Sequence, residues 1–183
     1  MIVMGFALLI GASTYAAAWI AFAIVGRNPS SAAFLPINLL VIAGSIGIAA
    51  GLPGLHALQA QQAGALGTAA TAMLFVGILL AGVARQSVEA FTLPVMERVP
   101  PAAGLLVAIA GPLLFFGLVT LGIVTMRAGV FPPWTGAALV AAALTGAFAA
   151  YVRIPPALHF TISATYAVVM AYLGLLVVLA SLP

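Results

Sequence analysis

Long apolar runs alternate with short polar segments along this chain of 183 residues. About 20 helical residues cross a hydrocarbon core of about 30 Å, whereas barrel strands would alternate polar and apolar side chains. The runs therefore predict an all-α, polytopic transmembrane helix bundle. Its six predicted spans cover residues 2–25, 36–55, 65–84, 102–126, 133–152 and 157–182.

Turn residues and prolines separate the predicted spans. Gly26-Arg27-Asn28-Pro29 follows the first run, and Pro100-Pro101 precedes the fourth, where proline fits a first helical turn. The first run lacks a basic leader and is too long for a signal peptide, so we expect it to be retained as a span. No linker divides the chain, which predicts a single domain over residues 1–183.

Composition supports the membrane assignment and excludes several kinds of site. The chain is 66% hydrophobic and 4% charged, whereas soluble domains carry about 25% charged residues. Lysine, aspartate and cysteine are absent, which excludes disulfides, lysine Schiff bases and aspartate-based diphosphate motifs. The scattered arginines form no basic patch, so nucleic acid is not an expected partner. With its two histidines predicted on opposite faces, the chain predicts no catalytic residues, no cofactor and no metal site.

The arginines are distributed unequally between the two predicted membrane faces. Six spans place both termini on one side, here called end X, and the loops after the first, third and fifth spans on the other, called end Y. End X carries only Arg127. Because short cytoplasmic loops are enriched in arginine, end Y is predicted to be cytoplasmic. Its arginines are Arg27, Arg85, Arg98 and Arg153.

The two halves of the chain share a loose pattern of loop residues. Leu52-Pro53-Gly54-Leu55-His56 in the first half has a counterpart in Pro155-Pro156-Ala157-Leu158-His159. Three helices per half would give a 3+3 inverted repeat of the kind found in many transporters. Proline, glycine and arginine also gather in unrelated membrane loops, so both interpretations remain open.

One group of polar residues is a candidate vestibule at end Y. Arg85 and Glu89 have the i, i+4 spacing of a helical ion pair. His159, Ser163 and Tyr166 form a polar stripe on one face of the last span, and such stripes face the bundle interior or a wet cavity. An interfacial belt of charges that anchors helix ends is the alternative. The candidate residues are Arg85, Glu89, Arg153, His159, Ser163 and Tyr166.

Small residues at i, i+4 spacing mark two further helix faces. Gly47-xxx-Gly51 lies in the second span and Ala142-xxx-Gly146-xxx-Ala150 in the fifth. Such faces let helix backbones approach in lipid, where no hydrophobic drive favours association. They predict contacts within the bundle or, alternatively, a face for other membrane subunits or a second copy.

Three segments resemble stretches of small bacterial six-helix integral membrane proteins of unknown function. These segments are MRAGVFPPWTG at 126–136, LPGLH at 52–56 and EAFTLP at 89–94. The resemblance covers most of the chain and implies a six-helix bundle in a bacterial plasma membrane, without implying an activity. The chain departs from that group where Gln59, Gln61 and Gln62 occupy the second loop, in which a basic residue is usual.

The sequence leaves three hypotheses for function. The first is a subunit or accessory component of a larger membrane assembly, without catalytic machinery and embedded in the lipid bilayer. The second is a small permease or channel that passes a ligand or ion through the vestibule at Arg85, Glu89 and His159. The third is an intramembrane enzyme in which Glu89 and His159 act as acid and base.

Overall fold

The computed structural model describes residues 1–96, 98–151 and 156–182, apart from the side chains at 150, 151, 156, 157, 159 and 161. Every regular element in these ranges is helical. The elements are α1 (Ile2–Val25), α2 (Phe34–Ile78), a π-helical segment (Leu79–Arg85), α3 (Gln86–Met96), α4 (Pro101–Ala128), α5 (Pro133–Tyr151) and α6 (Pro156–Leu179).

Four helical stretches in the described residues are long and apolar enough to cross a membrane. The first is α1, whose bounds match the predicted span, and the second is α4. The others are the continuous stretch Phe34–Met96 and the part Ile162–Leu179 of α6. The length and apolar composition of these stretches are compatible with a helical membrane protein.

The stretch Phe34–Met96 contains the main departure from the predicted boundaries. A loop was expected after residue 55, but the chain remains helical and only Gly64 leaves the helical conformation, with φ 53° and ψ −149°. The expectation was wrong because residues 57–63 are alanine, leucine and glutamine, which are good helix formers despite the polarity of the glutamines. The predicted loop is therefore a helix end with a one-residue turn.

The chain folds back on itself at Gly64. Thr68 Oγ1 lies 3.3 Å from His56 Nε2, and a Cβ on Gly82 would overlap the Ser45 hydroxyl. In a straight helix Ser45 and Gly82 would be about 55 Å apart. Residues 34–63 and 65–96 are therefore two antiparallel helical arms, called the first and second arm below.

The helices pack against one another by close backbone approach. α1 crosses the first arm where a Cβ on Gly47 would lie 2.6 Å from Gly11 Cα. The Gly47-xxx-Gly51 face therefore contacts α1 inside the bundle. α4 and α5 cross in the same way, since a Cβ on Gly122 would lie 2.6 Å from the carbonyl oxygen of Gly136. In lipid, burial of apolar side chains does not favour helix association, so these close contacts hold the helices together.

Close contacts between the termini of different helices define the two ends of the bundle. A Cβ on Gly54 would lie 2.6 Å from Met4 Cβ, and one on Gly5 would lie 2.8 Å from Val178. The start of α1 and the end of α6 are thus packed together beside the end of the first arm, close to the Gly64 turn. We keep the name end X for this end of the bundle and end Y for the opposite one.

Two apolar clusters fill the interior. The larger contains fully buried side chains from α1, both arms, α4, α5 and α6. The smaller, called the aromatic cluster, lies toward end Y and brings Trp19, Phe22, Phe34 and Phe160 together. The Trp19 and Phe160 ring centroids are 5.6 Å apart. The fully buried members of the larger cluster include Leu8, Leu52, Leu74, Leu121, Leu139, Met170 and Leu173.

Gly64→Ala is expected to lower the free energy of unfolding by about 1–3 kcal/mol, because the φ and ψ of Gly64 are essentially restricted to glycine. No atom lies within 4 Å of the position of the added methyl group, so backbone strain is the whole effect. Thermal and denaturant unfolding in detergent micelles measures it. Gly104→Ala is the matched control, since Gly104 is helical and also faces open space. Equal stability of the two variants would contradict the one-residue turn.

Candidate functional site

The second arm carries an ion pair where it leaves the apolar part of the bundle. Its helix widens to π geometry over Leu79–Arg85 and returns to α geometry at Gln86. Arg85 Nε then donates to Glu89 Oε1 at 2.8 Å, the i, i+4 contact expected from the spacing. π-helical turns are frequent at functional sites, where they redirect side chains.

Arg27, from the loop after α1, completes this cluster. Its Nη2 donates to Glu89 Oε2 and, at 3.0 Å, to Gln86 Oε1. Glu89 is 3% exposed and Gln86 is 2% exposed, so their polar atoms depend on these partners. We call Arg27, Arg85, Gln86 and Glu89 the arginine–glutamate cluster.

The sequence identified only part of this cluster. Helical spacing predicts the Arg85–Glu89 pair, whereas the sequence pattern places Arg27 at end Y without a partner and gives Gln86 no role. Arg27 and Glu89 are 62 residues apart in the chain. Their contact depends on the packing of α1 beside the two arms, for which local spacing gives no signal.

The cluster carries one carboxylate and two guanidinium groups, hence a net charge of +1. The Glu89 side chain is 4% exposed, while those of Arg27 and Arg85 are 26% and 28% exposed. Such burial is costly unless the charge is paired and hydrogen-bonded, and both carboxylate oxygens of Glu89 are bound. The paired carboxylate is thus enclosed, and the excess positive charge faces outward.

Arg27 is also held by the aromatic cluster beneath it. Its guanidinium carbon lies 5.5 Å from the centroid of the Phe22 ring, a cation–π contact. Burial lowers the pKa of Arg27, and the Glu89 carboxylate opposes that shift. Since an arginine pKa starts far above neutrality, the side chain keeps its charge. The loop after α1 is thereby fastened to α3.

The remaining predicted vestibule residues lie on or near α6. Tyr166 packs its ring edge-on against Tyr15, with the centroids 6.4 Å apart. The Tyr166 hydroxyl is buried and has no hydrogen-bond partner among the described residues. Ser163 is half-buried. Arg153 and the side chain of His159 lie outside the described residues, as does Glu97.

The first arm carries a row of buried polar residues that the sequence analysis missed. Asn38, Ser45 and Gln59 are 0%, 1% and 0% exposed. Asn38 Nδ2 and Ser45 Oγ donate to carbonyl groups one turn earlier in the same helix. Gln59 Oε1 accepts a hydrogen bond of 3.2 Å from Thr125 Oγ1 of α4. The signal in the sequence was the spacing of these residues by seven or fourteen positions, with Leu52 midway between Ser45 and Gln59.

These polar groups hold the bundle together at different depths. The arginine–glutamate cluster connects the end of α1 to α3 at end Y, and the Gln59–Thr125 bond connects the first arm to α4 toward end X. The larger apolar cluster lies between them. Within residues 1–96, 98–151 and 156–182, no group of three or more His, Cys, Asp or Glu could hold a metal ion.

No protein-family model, curated protein or solved structure matches this chain.

Glu89→Gln is expected to lower the free energy of unfolding by about 1–3 kcal/mol. Removing one partner of a fully buried ion pair costs about 3–5 kcal/mol, and the partial exposure of Arg27 and Arg85 reduces that cost. Unfolding in detergent micelles again provides the measurement. Arg98→Gln, at an exposed arginine, is the control and should be nearly neutral. The cluster would have no structural role if the two variants unfolded alike.

Proposed function

We propose that this chain is a six-span membrane protein in which the start of α1 and the end of α6 both lie at end X. The fold-back at Gly64 supports this, because it makes two antiparallel arms from one helical stretch. α5 has 19 residues and thus a length of about 28 Å, close to the hydrocarbon thickness. The resemblance of segment 126–136 to bacterial proteins favours a bacterial plasma membrane.

A 3+3 inverted repeat is part of the same proposal. The first half would contain α1 and the two arms, and the second half α4, α5 and α6. Two antiparallel neighbour pairs, α1 with the first arm and α4 with α5, begin the two halves in the same order. Both pairs cross through glycine backbones, at Gly11 and Gly47 and at Gly122 and Gly136. An odd number of spans per half then inverts the second half in the membrane.

We propose further that the protein acts as a non-catalytic subunit or accessory component of a membrane assembly. One observation carries this proposal: both oxygens of the buried Glu89 carboxylate are bound by arginines of the same chain. An acid enclosed in this way fastens helices, and neither of its oxygens is open to a ligand. The protein would then act through its helix surfaces.

A surface on α4 fits this role. Gly104, Ala108 and Gly111 lie at i, i+4 and i+7 and are all exposed. No atom lies within 4 Å of the position of a Cβ on Gly104 or Gly111. Most other helical glycines, with the exception of Gly146 in α5, are closely packed against neighbouring side chains or backbone. The α4 face is thus open for the approach of another transmembrane helix.

A small permease is the second candidate. The buried Tyr166 hydroxyl without a described partner favours it, because unpaired polar groups inside a membrane mark ligand or ion pathways. The Glu89→Gln variant separates the two functions. If it abolishes flux in liposomes while the protein stays folded, transport through end Y gains support over the accessory role.

Cysteine labelling tests the six-span topology, since the natural chain has no cysteine. Ser30→Cys and Arg98→Cys should react with a membrane-impermeant maleimide from one side of the membrane. Gln61→Cys and Val130→Cys should react only from the other side, because the Gly64 turn and the α4–α5 loop lie at end X. The positive-inside pattern favours a cytoplasmic position for the first pair. Labelling of Ser30→Cys and Gln61→Cys from the same side would refute six spans.

Site-directed photo-crosslinking tests the accessory role. A probe on Gly104→Cys or Gly111→Cys should yield one discrete product of higher mass in native membranes. Val168→Cys on α6 is the control, because Val168 is 61% exposed but belongs to a different helix. We expect no discrete product there. Identical products from α4 and α6, or none from α4, would contradict a specific partner on this face.

A further inference from the structure

A groove at end X lies between the Gly64 turn and the last turns of α4. It has a volume of about 340 Å³ and opens to the surface. Leu66 and Ile123, which are 62% and 38% exposed, form part of an apolar wall. Thr120 and Arg127 lie on the α4 side at i, i+7, and Gln62 lies on the opposite side. The full lining is Gln62, Ala63, Leu66, Thr120, Ile123, Val124 and Arg127.

The groove contains a cation, Arg127, that forms no ion pair with an acidic side chain among the described residues. The chain has two acidic residues, at positions 89 and 97, and Glu89 is bound to Arg27 and Arg85 at end Y. α4 has 28 residues and thus spans about 42 Å, so that Arg127 in its last turn lies at the other end of the bundle. The carbonyl groups at the end of α4 stabilise the positive charge of Arg127. They do not explain why an apolar groove lies beside it.

The aromatic residues near the groove are of the kind found at the headgroup level of a bilayer. Trp134, at the start of α5, is 52% exposed and packs against Tyr172 with the ring centroids 4.9 Å apart. Amphipathic aromatic rings concentrate at the membrane–water interface. Arg127 precedes Trp134 by one short loop and therefore lies at about the same depth.

We infer that this groove binds one anionic glycerophospholipid. The Arg127 guanidinium would bind the phosphate, for which its planar fork of donors is suited. The Gln62 amide is the second donor, and an acyl chain would lie along Leu66 and Ile123. Charge complementarity selects an anionic lipid, because the residues that line the groove include one cation, Arg127, and no acid. The inference rests on the six-span placement proposed above.

Lipid retention in native mass spectrometry tests the inference. The full-length protein is reconstituted with equimolar phosphatidylglycerol and phosphatidylcholine, and the lipids retained after detergent extraction are counted. We expect one phosphatidylglycerol in preference to phosphatidylcholine. Arg127→Gln should lower its retention about fivefold, which corresponds to about 1 kcal/mol for one basic residue near an anionic surface. Arg98→Gln, at the other end, should retain the lipid as the natural protein does.

A second variant separates a lipid from a free anion. Leu66→Trp keeps Arg127 and fills the apolar part of the groove at an exposed position, so it should also reduce retention. Excess inorganic phosphate should not displace the lipid. Equal losses in Arg127→Gln and Arg98→Gln, displacement by phosphate, or unchanged retention in Leu66→Trp would overturn the site. If retention fails while cysteine labelling shows six spans, the lipid site alone is wrong.

Discussion

The carboxylate of Glu89 is buried between Arg27 and Arg85, and the arrangement of end Y depends on this contact. A buried acid in an apolar bundle must be paired, because an unpaired charge away from water is costly. Arg85 is supplied by the same helix, but Arg27 arrives from the loop after α1 and also binds Gln86. The contact thus fixes where α1 ends relative to the second arm. The aromatic cluster, in which Phe22 lies under Arg27, packs in the space so defined.

Below end Y the helices are held by close approach and not by charge. Lipid is as apolar as the side chains of the helices, so burying leucine against leucine gives little drive for association. Gly11 and Gly47 bring α1 and the first arm into backbone contact, and Gly122 and Gly136 do the same for α4 and α5. Dispersion contacts between closely packed atoms then stabilise the bundle. The Ser45 side chain against Gly82 extends this packing into the π-helical segment.

The two ends of the bundle differ in how the charges of their arginines are neutralised. At end Y, Glu89 binds Arg27 and Arg85 and neutralises one of their two positive charges. The net charge of the arginine–glutamate cluster is therefore +1. At end X Arg127 forms no ion pair with a described residue and is exposed. A cation at the end of a helix, beside an apolar groove, has to be satisfied by water or by the bilayer. The proposed accessory role, orientation and lipid site all depend on this difference between the two ends.

The sequence by itself determined the helices and the contacts that run along a single helix. Apolar runs must form helices in lipid because every backbone group has to be satisfied within its own segment, and α1 and α4 follow the predicted bounds closely. The Arg85–Glu89 pair follows from helical spacing alone. The sequence did not locate the turn at Gly64, because helix-forming glutamines continue the first arm and one residue makes the reversal. It also did not assign Arg27 to Glu89, or Gln59 to Thr125, which are 62 and 66 residues apart. Tertiary structure decided these contacts, since helical periodicity specifies which residues share a face but not which face of another helix will meet it.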